Sequence, residues 1–335
     1  MASWMSAQTY PGSYPQVEIS NESLHARIFL PDAKKGFYRG TRFDWSGVIA
    51  SLEHGGHSYF GPFFEKFDPS VADVVIGDPV VAGINSAASG PVEEFIGLGE
   101  TALGYSDAKP GQAFCKIGVG SLRRIDNAPY SSYTNYPILN GGKRAFTSGS
   151  DFIDFTQQVD CGSGYGYTYS KKITLLKGQP VMSIEHRLVN TGVKAIATQV
   201  YDHNFFSIDH AQTGPGIGIT FPFKLVTNGK VDGPGLAQVQ ENQLRFPKEF
   251  NGSDTFYSEF SGFGKSAADY KFRVENRKTG SGVEISCDRP LVNIGVWAVR
   301  TVVAPEPFID INIAPGQGFS WKYTYRFYQE GRAKK

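Results

Sequence analysis

Two residues far apart along the chain, His203 and Glu306, carry most of the chemistry this sequence offers. His203 stands in Tyr201-Asp202-His203-Asn204-Phe205-Phe206, after a run that reads as strand (180–190), turn (Thr191-Gly192) and strand (194–200). An imidazole titrates near neutrality and suits proton transfer there; the alternative is a histidine that only fills a core. Asp202 and Asn204 adjoin it, so on an ideal strand they point to the opposite face. Glu306 lies in Val302-Val-Ala-Pro-Glu-Pro-Phe-Ile-Asp310. Its flanking prolines constrain the backbone and donate no ladder hydrogen bonds. The apolar residues on either side argue for a buried, preorganised base, which needs partners; the alternative is an acid on a surface turn.

Other constellations are less specific. Arg39, Arg42, Asp44 and Trp45 cluster two guanidinia, a carboxylate and an indole, a set able to bind a saccharide by stacking and bidentate hydrogen bonds, or to form an ion pair beneath a loop. Lys116, Arg123 and Arg124 sit on or after a glycine-bearing stretch, as ligands for anionic or hydroxyl groups or as a solvated strand end. Glu93-Glu94 is a paired acid whose members diverge in an extended chain, structural unless one lines a cleft. Glu53-His54-Gly-Gly-His57 has metal-ligand types, but no further ligand pair stands at a telling distance, and an exposed loop is the default reading. Gly118-x-Gly120 lacks the helix and later acid of a nucleotide fingerprint.

The elements that must position these groups read as β-strands. The chain has 335 residues, with 17 Tyr, 25 Phe and 39 Gly but only 19% charged residues, which points to a large all-β protein. Residues 17–20 and 24–30 read as a hairpin, and 31–103 as loop-rich with short strands at 47–53 and 71–76. Residues 114–122 read as one glycine-bearing strand. From 144 onward strands follow regularly: 152–159, 165–176, 181–189, 217–226, 256–260, 270–276, 282–286, 292–303 and 319–328. No run has helical period and no linker interrupts the series, so the expectation is one antiparallel sandwich domain over 1–335, with 1–110 a loop-rich N-terminal elaboration.

Net charge is +1, which excludes an electrostatic footprint for nucleic acid or an anionic membrane surface. No apolar run is long enough for a membrane span. Cys115, Cys161 and Cys287 form no CxxC pair and leave room for one disulfide. Asn21 and Asn251 begin glycosylation-type triplets. The first residues lack a basic patch followed by an apolar core, so the expected location is the cytoplasm; a removed leader would make it secreted or periplasmic.

Leu188-Val-Asn-Thr-Gly192, Asp202-His203-Asn204-Phe205-Phe206 and Pro315-Gly316-Gln317 with the closing run 319–327 together resemble the galactose mutarotase-like (aldose 1-epimerase) superfamily over roughly 152–328. The resemblance implies an antiparallel β-supersandwich with a sugar cleft on its concave face. It also implies Glu306 as the base at the anomeric hydroxyl and His203 as the acid at the ring oxygen, with Arg39, Arg42, Trp45, Lys116, Arg123 and Asn204 as candidate sugar ligands. No cofactor and no metal are implied; the partner is a small sugar or oligosaccharide, and oligomeric state is unassigned. The family's further upstream histidine has no counterpart in 114–124, where Lys116 stands instead. Two other functions compete: a carbohydrate lyase, with Tyr165, Tyr167 or Tyr169 as base and arginines neutralising a uronate, and a sugar-binding protein without turnover.

Overall fold

The computed structural model describes residues 10, 12–97, 99 and 101–330; the N-terminal octapeptide read above for a leader lies outside them. The described residues form two large antiparallel sheets and three small ones, with two short 3-10 turns, Ile208–His210 and Ala267–Asp269. The larger sheet has ten strands, in the order Lys143–Ser148, Phe152–Asp160, Gly166–Leu175, Val181–Asn190, Gly318–Gln329, Ser281–Cys287, Lys271–Asn276, Ile217–Thr220, Gln243–Arg245 and Gln238–Gln240. The other has six: Val226–Asp232, Thr255–Ser261, Asn293–Val299, Val302–Ile313, Ile196–Phe205 and Gly90–Ile96.

Period-two patterning builds the first of these sheets. Along Phe152–Asp160 the residues Ile153, Phe155, Gln157 and Val159 are buried, while Thr156, Gln158 and Asp160 are exposed. Each such aliphatic or aromatic side chain contributes about 1.5–3 kcal/mol by leaving water. Gln157, the polar member of that inward row, uses its amide to donate to the Val119 and Gly141 carbonyls. The strand Ile196–Phe205 departs from the pattern: every residue from Val200 onward is buried, because both of its faces are covered.

Three expected strands divide where the chain turns. Residues 114–122 form a hairpin, Ala113–Lys116 paired with Gly120–Arg123, and Gly118 turns it at φ 81°. A side chain at Gly118 would place its Cβ 2.7 Å from that of Asp44. Residues 292–303 contain one whole strand and the start of the next, Asn293–Val299 and Val302–Ile313, which pair directly. Residues 217–226 break at Phe221-Pro222, after which the chain leaves the ten-stranded sheet and enters the six-stranded one.

The segment read as loop-rich supplies Gly90–Ile96, the edge strand of the six-stranded sheet. Pro91 is tolerated there because an edge has one unpaired side. The hairpin of 16–29 forms as expected, with Val17 opposite Ile28. Cys115 and Cys161 form a disulfide, and Cys287 is buried and free.

Candidate functional site

The six-stranded sheet carries one row of residues that decides the site. Extending the pairing of Tyr201 with Phe308 by two residues on each strand sets His203 opposite Glu306. Glu306 pairs with Gly295, Gly295 with Glu259, and His203 with Val92 on the other side. The ladder between Ile196–Phe205 and Val302–Ile313 is continuous up to Tyr201 and resumes as a bridge between Phe206 and Val303. His203 and Glu306 sit in the interruption, which the two prolines cause by withholding their N–H groups.

There His203 Nε2 lies 3.3 Å from Glu306 Oε1. Aromatic rings fix the imidazole: Phe205 stacks on it at 3.9 Å, and Phe43 and Trp297 meet it edge-on at 5.5 and 5.9 Å. Both groups line a cavity of about 840 Å³, within the range of small-molecule sites. Alternation along the strands chooses its floor: Tyr201, His203 and Phe205; Glu306 and Phe308; Asn293 and Trp297; Tyr257 and Glu259. Gly295 keeps that floor low, since a Cβ there would come within 3.0 Å of the Tyr257 hydroxyl.

Burial sets the proton affinities of the pair. It pushes the Glu306 carboxyl up to about 8; Arg42 opposes this, and Glu94, Glu259 and Asp73 add to it. Burial, with Arg42 again, holds the His203 imidazole well below its usual range. Glu94 behaves oppositely. Burial works to raise it, yet Lys116, Arg42 and hydrogen bonds from Ser132 and Tyr201 outweigh that and bring it down to about 2. Its Oε2 accepts from Arg42 Nε at 2.7 Å and from the Tyr201 hydroxyl; its Oε1 accepts from Lys116 Nζ at 3.0 Å and from Ser132 Oγ at 2.5 Å.

The structure brings three of the expected residues together: His203, Glu306 and Arg42, whose guanidinium also reaches Asp73 at 3.6 Å and the Tyr201 hydroxyl at 3.0 Å. The other candidate ligands lie elsewhere. Asn204 is fully buried on the opposite face, accepting from the Tyr325 hydroxyl at 2.8 Å, as strand alternation requires. Lys116 is buried behind the cavity, its ammonium committed to Glu94 and the Phe95 carbonyl. Trp45 is buried with its indole N–H donating to Gly40 O at 2.7 Å. Arg39 is exposed and donates to Lys34 O, and Arg123 is exposed at the end of its strand; neither lines the cavity.

His57 pairs with Asp209 at 3.1 Å and His54 bonds the Ser23 carbonyl, both away from the cavity. Among the described residues no group of three or more His, Cys, Asp or Glu is arranged to hold a metal. Tyr167 and Tyr169 are buried in the ten-stranded sheet, bonded to Gln157 and His186. Sequence reasoning did not single out Tyr201, Tyr257, Glu259, Trp297 or Asp73. The alternation rule finds the first four once the site strand and its pairing are known. Asp73 sits in an irregular segment and has no such signal.

No protein-family profile matches the chain, and no curated protein matches it. Solved structures do match in fold. The Slr1438 protein from Synechocystis sp. PCC 6803 superposes with a TM-score of 0.54 at 11% identity, covering 97% of this chain and 100% of that one. A galactose mutarotase-like protein from Clostridium acetobutylicum gives 0.53 at 9% identity over 94% and 95%. The GalM/aldose epimerase homologue from C. elegans gives 0.52 at 12% identity over 95% and 100%. The chain therefore has the large antiparallel β-supersandwich fold of the galactose mutarotase-like proteins, at a sequence distance where the likeness speaks for the fold alone.

Proposed function

We propose that this protein interconverts the anomers of a reducing sugar, with His203 and Glu306 as the acid–base pair. One observation carries the reading: the 3.3 Å contact of imidazole and carboxyl on the floor of a cavity of sugar-accommodating size. The anomeric hydroxyl and the ring oxygen hang on the same carbon, so an acid and a base standing side by side can serve both. The raised carboxyl and depressed imidazole mean that the pair holds one proton through neutrality.

Moved within the pair, that proton leaves a carboxylate and an imidazolium. The carboxylate takes the proton of the anomeric hydroxyl while the imidazolium delivers one to the ring oxygen, and the ring C–O bond breaks to give the aldehyde. The carbonyl turns about its bond to the neighbouring carbon. Closure on the other face returns the ring proton to His203 and takes the carboxyl proton from Glu306, so the enzyme ends as it began. Electrons and protons balance without a cofactor.

Uronate elimination is the poorer reading. A sugar carboxylate needs a cation to neutralise it, and the one guanidinium that lines the cavity among the described residues, Arg42, is bound by Glu94 and Asp73. Polarimetry on freshly dissolved pure anomers of a panel of reducing sugars tests the proposal. An enzyme-dependent acceleration of the drift in optical rotation to its equilibrium value, absent in Glu306→Gln, is expected. An ultraviolet-absorbing unsaturated product from a uronate would assign the lyase instead, and saturable binding without turnover would assign a binding protein.

A further inference from the structure

The prolines beside Glu306 take two donors out of the sheet. Phe206 and Val303 exchange both backbone hydrogen bonds, at 3.0 and 3.1 Å. In an antiparallel ladder such bonded pairs recur at every second residue. The register of these strands therefore calls for the next two at Asn204 with Pro305 and Asp202 with Pro307. Neither proline has an N–H to give. The carbonyls of Asn204 and Asp202 lose their ladder donors in the stretch that sets His203 beside Glu306.

Local donors satisfy both. The Asn204 carbonyl accepts from the Phe206 N–H at 2.9 Å, and the Asp202 carbonyl accepts from the Asn204 side-chain Nδ2 at 2.9 Å. The same Nδ2 also donates across the strands to the Pro305 carbonyl at 3.2 Å. Each hydrogen of the amide thus has its own carbonyl. At its other end, Asn204 Oδ1 accepts from the Tyr325 hydroxyl at 2.8 Å, and that hydroxyl also meets the Asp202 carboxyl. Turned over, the amide would set its oxygen against two carbonyls, so its surroundings fix which end points where. Asn204 and Tyr325 are fully buried on the inter-sheet face, and neither lines the cavity.

We infer that Asn204 is a positioning residue for the acid–base pair: its side-chain amide ties the two strands where the prolines leave the ladder open, and so holds His203 Nε2 at 3.3 Å from Glu306 Oε1. The bond joins the residue that follows His203 to the one that precedes Glu306. A buried bond of this kind leaves unpaired groups behind when it is broken. A displacement of about 1 Å in a reacting geometry costs up to about 10²-fold in rate. The inference rests on the reading of His203 and Glu306 as acid and base, and it assigns what keeps them together.

The test joins anomer kinetics to nitrogen NMR of isotope-labelled histidines in the full chain, with His203→Gln identifying the His203 signals. Asn204→Leu removes both amide donors at nearly the same size. Its kcat, taken per folded molecule, is expected to fall about 10–10²-fold, with KM little changed because the cavity lining stays in place. The His203 Nε2 signal should move toward its position in Glu306→Ala, which has no carboxyl to meet. A merely structural loss lowers the folded fraction and leaves that signal where it is. Tyr325→Phe keeps the ring but frees the Asn204 oxygen, and should move the signal the same way by less.

An unmoved His203 signal in folded Asn204→Leu overturns the inference, and so does a moved signal with kcat unchanged. Should Asn204→Leu not fold, Tyr325→Phe decides, an unmoved signal again overturning it. If the unsubstituted protein equilibrates none of the sugars, the proposed function fails, and the imidazole signal alone then decides whether Asn204 holds the pair together.

Discussion

The two faces of the six-stranded sheet use the same residue types for opposite ends. Glu93 and Glu94 are consecutive, as are Asp202 and His203, and each pair sends one member to each face. On the cavity face stand Glu94, His203 and Glu306, where a ligand can reach them. On the inter-sheet face Glu93 Oε2 meets Lys171 Nζ at 2.5 Å, His186 lies 3.3 Å from Glu93, and Asp202 accepts from the Tyr325 hydroxyl. These inter-sheet groups are completely buried. Burial raises Glu93 to about 8 and Asp202 to about 7, Lys171 opposing in both, much as burial raises Glu306. A displaced proton affinity is therefore no mark of function in this molecule. Access is what separates the two faces.

That difference can be broken most sharply at Glu306. General acid–base groups are worth about 10²–10⁴-fold in rate, so Glu306→Gln should lower anomer equilibration by about that factor. Asp202→Asn, with the same kind of raised carboxyl on the sealed face, should leave the rate within a few-fold; a rate assay on both variants decides. Next in size, Lys171→Met strands Glu93 and Asp44 without their ammonium. Breaking a buried pair in this way costs about 3–5 kcal/mol, to be read by urea unfolding, while the folded fraction keeps its activity.

A third test is the dependence on pH. Glu93, Asp202 and Glu306 are all raised in the folded chain, so folding favours their protonated forms. Their contribution to stability is full below the ordinary carboxylate range and declines as pH climbs above it. It is gone beyond about 8, each group weakening the fold by about 1.4 kcal/mol per pH unit within its own window. Thermal unfolding from pH 5 to 9 should show the fall, and Asp202→Asn should flatten it. The smallest effect sharpens the cavity face. Arg42 holds the Glu306 carboxyl down, so Arg42→Gln should move the alkaline limb of the pH–rate profile upward; a limb that moves down contradicts the assignment.

The strands from 152 onward were legible because one face of each is dry and the other wet, as along Phe152–Asp160. His203 and Glu306 were legible by type and by the prolines beside Glu306. What was hidden follows from pairing. Gly90–Ile96 has neither alternation nor an exposed face, so nothing local distinguishes it from loop, yet it carries Glu94. Asn204 looked like a ligand by its nearness to His203 in the chain; in a strand that nearness places it on the far side. Lys116 and Trp45 had suitable chemistry but are spent on Glu94 and Gly40. Glu259 and Trp297 join the site only through Gly295 and the register of Asn293–Val299, which no single segment reveals.

The most direct test is NMR magnetisation exchange between the two anomeric protons of a reducing sugar at neutral pH, recorded with the unsubstituted protein, Glu306→Gln and Asp202→Asn side by side. The account predicts exchange accelerated by the unsubstituted protein and by Asp202→Asn, and reduced about 10²-fold or more in Glu306→Gln. Equal exchange with Glu306→Gln and the unsubstituted protein, or none above background across a panel of reducing sugars, would contradict it.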